Sequence, residues 1–259
     1  MQKIKDTLEN KCSYNCVMDV TPFLQPVINT YENCIVGAEI LCRVKTKKGY
    51  ILNQLHIEEL EVPERADYYA RELLLKTAET LRKNDGINEI PSGFVFSLNI
   101  TCGQINSETI RNAVMKFRSY FKTDVVILLE IVERNITDAT NDILDAIAFY
   151  DSIGVKFAID DVGMNTAALK FFGVNNVTTL KLDRLVTQVK GNLGLVYRKL
   201  IDGIVKISSI CSVDVVAEGV ENHFQKEALK SAGIIFMQGY LFSRPLPVPA
   251  FCEFMKNYR

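Results

Sequence analysis

The chain has 259 residues, of which 48% are hydrophobic and 24% charged, so it can bury a full hydrophobic core. Its 30 basic and 31 acidic side chains give a net charge of -1, which provides no long-range field for DNA or an anionic membrane. Two histidines and seven scattered cysteines disfavour histidine nucleophiles, zinc sites and a disulfide framework. No stretch is typical of a secretory leader or a membrane span, and we expect a cytoplasmic protein with reduced thiols.

The first predicted elements form a β-hairpin after a polar start. Two apolar runs, residues 23–28 and 35–41, lie on either side of residues 30–33, whose composition is typical of a turn. Two antiparallel strands are therefore expected here. Pro63 then begins a predicted helix in which apolar side chains recur near the 3.6-residue period, namely Tyr69, Leu74, Ala78 and Leu81.

From residue 94 onward, predicted strands alternate with predicted helices. The strands lie at residues 94–99, 125–130 and 155–161 and near Leu180, Val215 and Ile235. Two predicted helices span residues 107–120 and 249–257. Another is capped by Thr137, has Ile143, Ile147 and Tyr150 on one face, and ends before Gly154. A fourth has Leu200, Ile204 and Ile207 on one face.

This alternation predicts an α/β fold. Strands joined through helices pair in parallel by right-handed crossovers, and at this length a closed (β/α)8 TIM-like barrel is the natural arrangement. No linker rich in proline, glycine or serine interrupts the pattern. We therefore predict a short extension at residues 1–19 and a single domain at residues 20–259. A doubly wound open sheet would give a similar pattern and is the alternative.

Each predicted strand ends in a polar side chain. In a parallel barrel the carboxyl ends of the strands meet at one mouth, so these side chains should converge. They are Asn99, Glu130, Asp160, Asp161, Lys181, Glu218 and Gln238, and Glu39 joins them if its strand lines the barrel. Acids and an amide without histidine form an oxygen-rich set, which suits Mg²⁺ or Mn²⁺.

So many carboxylates suggest two metal ions. Two ions about 3.5 to 4 Å apart can clamp the attacking and leaving oxygens of a phosphoryl centre, which makes phosphodiester hydrolysis the best-predicted reaction. Lys181 leaves alternatives open, because it could orient a water, form a Schiff base or abstract a proton beside a metal. Carbon-acid chemistry and an unrelated barrel therefore remain as further hypotheses.

Eight short motifs follow one another along the chain. They are Gln25-Pro26-Val27, Glu39-Ile40-Leu41 within residues 36–43, Asn99-Ile100-Thr101, Glu130-Ile131-Val132-Glu133, Asp160-Asp161-Val162-Gly163, Lys181-Leu182-Asp183, Glu218-Gly219-Val220-Glu221 and Gln238-Gly239-Tyr240-Leu241-Phe242-Ser243-Arg244-Pro245. In this order they resemble the EAL domain family of bacterial cyclic di-GMP phosphodiesterases, and the resemblance spans nearly all of the chain from about Val20.

The resemblance implies an activity and a fold. The activity is hydrolysis of cyclic di-GMP to linear pGpG with two Mg²⁺ or Mn²⁺ ions, in bacterial signalling that regulates biofilms and motility. The fold is a TIM-like barrel whose first strand runs antiparallel, in agreement with the predicted hairpin. The resemblance is also compatible with a homodimer and with a separate regulatory protein.

The resemblance also implies roles for individual residues. The metal ligands would be Glu39, Asn99, Glu130, Asp160, Asp161 and Glu218. The catalytic residues would be Glu39, Lys181, Glu218 and Asp161, with Lys181 in contact with the bridging water. Substrate would be bound by Gln25, Leu41, Arg43, Gln238 and Pro245, and supporting roles would fall to Glu133, Glu221 and Asp183.

Two departures from the family pattern bear on activity. Ile40 replaces the alanine of the signature, a hydrophobic exchange that should affect packing rather than chemistry. The loop after Asp161 lacks the second glycine and the hydroxyls of the family pattern, since residues 164–168 are Met-Asn-Thr-Ala-Ala. The alternative hypothesis is therefore a degenerate EAL domain that acts as a non-catalytic cyclic di-GMP receptor or protein-interaction module. The complete acidic set favours the enzyme.

Overall fold

A computed structural model describes residues 19–46, 49–51, 63–132, 141–162, 176–187 and 192–258. Its strands are β1 (Val20–Asn29), β2 (Cys34–Thr46), β3 (Gly49–Ile51), β4 (Val95–Ile100), β5 (Val126–Val132), β6 (Val155–Val162), β7 (Val177–Leu182), β8 (Asp214–Ala217), β9 (Phe236–Met237) and β10 (Leu246–Pro247). Its α-helices are α1 (Pro63–Lys83), α2 (Glu108–Arg118), α3 (Asn141–Ser152), α4 (Arg184–Thr187), α5 (Asn192–Cys211), α6 (His223–Ser231) and α7 (Val248–Asn257). Two short 3₁₀ helices span Gly86–Glu89 and Cys102–Gln104.

Eight of the strands close into a barrel. Their order around it is β1, β2, β4, β5, β6, β7, β8 and β9, and β9 pairs back with β1. The pairs from β2 to β9 are parallel, whereas β1 is antiparallel to both β2 and β9. The predicted barrel with an antiparallel first strand is confirmed, and the open-sheet alternative is wrong. The strands β3 and β10, which the sequence analysis did not predict, extend the sheet beside β2 and β1.

The hairpin register brings two motif residues side by side. In the pairing of β1 with β2, Gln25 lies opposite Glu39 and Leu24 lies opposite Ile40. Leu24 and Ile40 are buried beneath the helices, so the neighbouring residues Gln25 and Glu39 face the barrel interior. The alternation of side chains along the strands thus places both polar residues inside the barrel.

Helices cover the outside of the barrel and bury apolar faces against it. The predicted face of α1, formed by Tyr69, Leu74, Ala78 and Leu81, is buried. The hydroxyl of Ser107 accepts a hydrogen bond from the backbone N–H of Ile110 and so caps α2. Because Ser107 is the cap, the helix begins at Glu108, one residue after the predicted start.

The helices α3 and α5 differ in how well their faces were predicted. In α3, Ile147 and Tyr150 are buried as expected, whereas the predicted cap Thr137 lies outside the described residues. Gly154 follows α3 with a φ of 70°, a left-handed conformation that favours glycine. The buried face of α5 consists of Ile201, Ile204 and Ser208, while the predicted Leu200 and Ile207 are 38% and 40% exposed.

The described helices and cysteines bear on two further expectations. No helix within the described ranges is both long and apolar enough to cross a bilayer. Cys34, Cys42, Cys211 and Cys252 are free thiols. Cys42 and Cys252 are buried, whereas Cys211 is exposed at the end of α5.

Candidate active site

Lys181 lies among four carboxylates at the carboxyl ends of the strands. Its Nζ is 2.6 Å from Oε1 of Glu218 and donates a 2.8 Å hydrogen bond to Oε2 of Glu130. The same nitrogen is 3.4 Å from Oε2 of Glu39 and 3.9 Å from Oδ1 of Asp160. These five residues come from five different strands or the positions directly after them. The structure therefore brings together most of the charged residues predicted to converge.

Two side-chain amides hold the carboxylate of Glu39 from opposite sides. Nδ2 of Asn99 donates to Oε1 of Glu39 at 2.9 Å, and Nε2 of Gln238 donates to Oε2 at 2.7 Å. Gln238 also donates to Oε1 of Gln25 at 3.1 Å, and Nε2 of Gln25 donates to the carbonyl of Ser243 at 3.2 Å. This chain of hydrogen bonds fixes the orientation of Glu39 from both ends of the sequence.

The charges in this cluster do not balance, because four carboxylates surround one ammonium group. Burial raises the pKa of Glu130 well above its usual value; Lys181 opposes this effect and the neighbouring acids add to it. The pKa of Glu218 is raised in the same direction, chiefly by burial. Burial alone would lower the pKa of Lys181, but Glu130 and the other acids raise it well above its usual value. The site therefore keeps its lysine charged and favours the uptake of further protons or cations.

A β-bulge lies at the paired aspartates of β6. Ile159 pairs with Leu180 and Val162 pairs with Leu182, so a step of three residues along β6 corresponds to a step of two residues along β7. The extra residue falls at Asp160 or Asp161, where strict alternation would send the two side chains to opposite faces. The side chain of Asp161 lies outside the described part of the structure. A bulge at this position is typical of strands that redirect side chains beside a functional site.

The predicted metal site contains a donor set that suits hard divalent cations. Among the described side chains, no three acids, histidines or cysteines are arranged to hold a metal ion. The four carboxylates face the ammonium group of Lys181 instead. Oε1 of Glu130 is nevertheless buried without a hydrogen-bond partner, and carboxylate and amide oxygens are the ligands that hard divalent cations prefer. By donor chemistry, these residues fit such ions.

A pocket of about 280 Å³ opens beside this cluster. It is lined by Gln25, Glu39, Leu41, Arg184, Glu218, Gly219, Glu221, Gln238, Gly239 and Tyr240. A side chain at Gly239 would have its Cβ 2.2 Å from the carbonyl oxygen of Val220, so this close approach of two backbone segments requires glycine. Several predicted substrate and supporting residues therefore share one concave surface with Glu39 and Glu218.

Other predicted residues lie away from the lining of this pocket. Arg43 is buried, donates from Nη1 to the carbonyl of Cys42 at 2.7 Å and lies over the ring of Phe23. Oδ1 of Asp183 accepts a 2.7 Å hydrogen bond from the backbone N–H of Leu185 at the start of α4. Pro245 is half-buried beside β10. Glu133 and residues 164–168 of the altered loop are outside the described residues.

Four pocket residues had no role predicted from the sequence, namely Gly219, Gly239 and the two with side chains, Arg184 and Tyr240. Arg184 directly follows Asp183 at the end of β7, and Tyr240 lies within a quoted motif, so position at a strand end could have indicated both. The guanidinium group of Arg244 stacks over the ring of Tyr240 with a distance of 4.2 Å to the ring centre. The exposed side chain of Arg184 and the ring of Tyr240 thus line the same pocket as Glu39 and Glu218.

Comparison with known proteins identifies a family that matches this chain. The family described as the EAL domain matches residues 6–245. The probable cyclic di-GMP phosphodiesterase PdeG of Escherichia coli (strain K12) is 27% identical over 231 residues, which cover 88% of this chain and 45% of that protein. The cyclic di-GMP phosphodiesterase PdeL of the same strain is 26% identical over 231 residues, which cover 87% of this chain and 62% of that protein. The chain thus spans only about half to three fifths of these relatives.

Solved structures support the same fold. The EAL enzyme Bd1971 in its form bound to cAMP and cyclic di-GMP is similar with a TM-score of 0.79 and 25% identity, covering 98% of this chain and 67% of that one. An EAL domain protein from Listeria monocytogenes EGD-e has a TM-score of 0.72 and 23% identity, covering 97% and 96%. The second likeness concerns the fold alone.

Proposed function

Since the chain belongs to the EAL domain family, we propose that it is a metal-dependent phosphodiesterase that hydrolyses cyclic di-GMP to linear pGpG. The observation that carries this proposal is the cluster in which Glu39, Glu130, Asp160 and Glu218 face one lysine at the carboxyl mouth of the barrel. A structural role alone gives no reason to gather four repelling acids there. The relatives named as cyclic di-GMP phosphodiesterases support the choice of substrate. Residues 20–259 would form the single catalytic domain.

In the proposed site, two Mg²⁺ or Mn²⁺ ions would be held by Glu39, Asn99, Glu130, Asp160, Asp161 and Glu218. When bound, such ions lower the pKa of a water and stabilise charge on a phosphoryl centre. The amides of Asn99 and Gln238 would keep the Glu39 carboxylate in one orientation, because each donates to a different oxygen of it.

The lysine and one acid have distinct proposed roles around the attacking water. Lys181 would orient that water by donating a hydrogen bond, and its raised pKa keeps it a donor throughout. Glu218 would accept a proton, because a carboxyl group with an upward-shifted pKa is a stronger base than an ordinary one. Nζ of Lys181 and Oε1 of Glu218 are 2.6 Å apart, so a water bound beside this pair would lie within reach of both groups.

The pocket beside the cluster would hold part of the dinucleotide. At about 280 Å³ it is smaller than a cyclic dinucleotide, so the remainder would lie across the open mouth. Tyr240 offers an aromatic face on which a guanine can stack, and Arg184 offers a guanidinium group for a phosphate. Leu41 and Gln25, which line the same pocket, would contribute further contacts, with Glu221 in a supporting position.

Turnover by the purified chain tests this proposal. Cyclic di-GMP is incubated with Mg²⁺, Mn²⁺ or EDTA, and products are separated by chromatography. We expect pGpG with either metal, none in EDTA, and a loss of at least about a thousandfold in Glu39→Gln, which removes a charged ligand with little change of shape. Glu253→Gln, at an exposed position in α7, is the matched control and should retain full activity.

The alternative of a non-catalytic cyclic di-GMP receptor rests on the sequence of the loop after Asp161. Residues 164–168 are Met-Asn-Thr-Ala-Ala and lack the second glycine and the hydroxyls of the family pattern. Calorimetry distinguishes the two: a receptor would bind cyclic di-GMP in EDTA and in Mg²⁺ alike and release no product. Product formation that depends on Glu39 would exclude this alternative.

A further inference from the structure

The layer of side chains directly beneath the acidic cluster contains several small residues. Along a barrel strand, residues two positions apart face the same side. Seven of the eight barrel strands carry a residue that lies two positions from a residue of the candidate active site and lines one cavity. These seven residues are Val27, Gly37, Ser97, Leu128, Thr179, Val216 and Phe236. Bulky branched side chains usually fill the interior of such barrels. Here Gly37, Ser97 and Thr179 leave that layer incompletely filled.

The resulting cavity has a volume of about 300 Å³. Part of it is imposed by the backbone, because a Cβ on Gly37 would lie only 2.7 Å from the carbonyl oxygen of Val95. The close approach of β2 and β4 thus excludes any side chain at this position. An apolar cavity of about 150 Å³ is enough to hold benzene. This cavity therefore has room for an aromatic ring with a short side chain.

The two ends of the cavity carry charged and amide side chains, and its middle is mostly apolar. Glu130 and Lys181 line its inner end, beneath the acidic cluster. Asn29 and Asp214 line the opposite end, at the amino ends of the parallel strands, and Asp214 is exposed. Between them the wall is formed mainly by Val27, Val36, Val95, Leu128, Val216 and Phe236, with Ser97 and Thr179 among them. The cavity is lined by residues different from those of the pocket at the carboxyl mouth.

We infer that this cavity is a second binding site, which takes a compact aromatic amine with its ring among the valines and its ammonium group at Asp214. The charge of the lining selects the amine. Asp214 and Glu130 are acids, whereas the ammonium group of the lining Lys181 is already shared among four carboxylates. A carboxylate ligand in the same orientation would meet repulsion at Asp214.

The first test maps binding in the unaltered chain by NMR with isotope-labelled valine and leucine methyl groups. The probe is 2-phenylethylamine, titrated in EDTA so that metal binding plays no part. We expect saturable shifts of the methyls of Val27, Val95, Leu128 and Val216, with a Kd of about 1 mM or below, given the small size of the probe. The methyls of Leu74 and Val114, buried outside the barrel, should not move. Absence of shifts at the cavity methyls would overturn the inference.

Filling the cavity provides the second test. Val216→Phe places a ring inside it and should raise the Kd for 2-phenylethylamine roughly tenfold or more. Val196→Phe is the matched control, because Val196 is 62% exposed on α5. Equal affinity in Val216→Phe and the unaltered chain would place binding elsewhere. If Val216→Phe does not fold, the methyl map of the unaltered chain decides the question.

The chemistry of the ligand provides the third test. Propylbenzene has nearly the same shape without charge, and 3-phenylpropionate carries the opposite charge. We expect the amine to bind more tightly than propylbenzene and propylbenzene more tightly than the carboxylate. Asp214→Asn should reduce the preference for the amine over propylbenzene while leaving propylbenzene affinity unchanged. Binding of the carboxylate as tightly as the amine would contradict the assigned charge. None of these measurements depends on phosphodiesterase activity.

Discussion

Nε2 of Gln238 donates a 2.7 Å hydrogen bond to Oε2 of Glu39, although the two residues are 199 positions apart in the chain. The same amide lies 3.1 Å from Oε1 of Gln25, which is anchored in turn to the carbonyl of Ser243. Closure of the barrel between its first and last strands creates this contact. The orientation of Glu39 therefore depends on the barrel seam.

Gln238→Glu tests whether this amide positions Glu39. The substitution keeps the shape of the side chain, removes the donor and places a second carboxylate against Glu39, which should turn Glu39 away. We expect kcat/KM for cyclic di-GMP to fall by about 10- to 100-fold, the usual effect of removing a partner that orients a metal ligand. Steady-state kinetics across a range of Mg²⁺ concentrations would measure it. Part of the loss should be recovered at high Mg²⁺.

The control for this variant is Asn112→Asp, which makes the same amide-to-acid change at an exposed position in α2. It should leave the kinetics unchanged. Unaltered kinetics and metal dependence in Gln238→Glu would show that Glu39 keeps its position without the amide.

Lys181→Met tests the charge balance of the cluster. Loss of the ammonium group leaves four carboxylates without their shared cation, and removing one partner of a buried ion pair typically costs about 3 to 5 kcal/mol. We expect the free energy of unfolding in EDTA, measured with urea, to fall by about that amount. Mg²⁺ should stabilise the variant more than the unaltered chain, because the acids then lack any other cation.

The matched control is Lys156→Met in β6. Nζ of Lys156 lies 3.2 Å from Oδ1 of Asp151, but both side chains are substantially exposed, at 37% and 51%. An exposed ion pair of this kind contributes about 0 to 1 kcal/mol. Equal destabilisation by the two substitutions would mean that the ion pairs of Lys181 stabilise the fold no more than an exposed ion pair does.

Two glycine-to-alanine substitutions compare a left-handed backbone position after α3 with a helical position within α5. Gly154 has a φ of 70°, and a Cβ there would lie 3.2 Å from Nη1 of Arg118. Gly154→Ala should therefore lower the free energy of unfolding by about 1 to 2 kcal/mol. Gly203→Ala lies within α5, where a Cβ meets nothing within 4 Å, and should raise it by about 0.5 to 1 kcal/mol. Urea unfolding of both variants measures the difference, and effects of the same sign would contradict it.

Local patterns predicted the barrel and the ends of its strands. Apolar runs that stop at Asn99, Glu130 and Lys181 are readable from the sequence, because each strand is buried on both faces until it reaches the mouth. The hairpin was readable for the same reason, since residues 30–33 have turn composition between two such runs. These features depend on neighbours within a few residues.

Features that depend on barrel closure were not predicted. The partners of Lys181 follow from the stagger of distant strands, and no local pattern encodes which acids lie within 4 Å of it. The bulge in β6 and the unfilled layer at Gly37 and Ser97 also arise from pairing between strands. The exposed face of α5 at Leu200 and Ile207 could not be told from a core face, because periodicity alone does not reveal what covers it.

The thiols of Cys42 and Cys211 should differ sharply in reactivity. Cys42 is 4% exposed, and burial raises its pKa to about 12, whereas Cys211 is exposed. Because the thiolate is the nucleophile, iodoacetamide at about pH 8.5 should modify Cys211 and spare Cys42 in the folded chain. Cys252, also 4% exposed with a raised pKa, should be spared as well. Mass spectrometry of peptides from the treated protein measures the modification at each position.

The burial of the Cys42 thiol also makes the stability of the fold depend on pH. The folded pKa of Cys42 lies above its unfolded value, so the buried neutral thiol stabilises the fold at a pH below about 9, and this contribution is lost as the pH rises towards about 12. Urea should expose all three thiols to equal modification at about pH 8.5. Modification of Cys42 as fast as Cys211 without urea would mean that β2 opens readily, which its pairing with both β1 and β4 argues against.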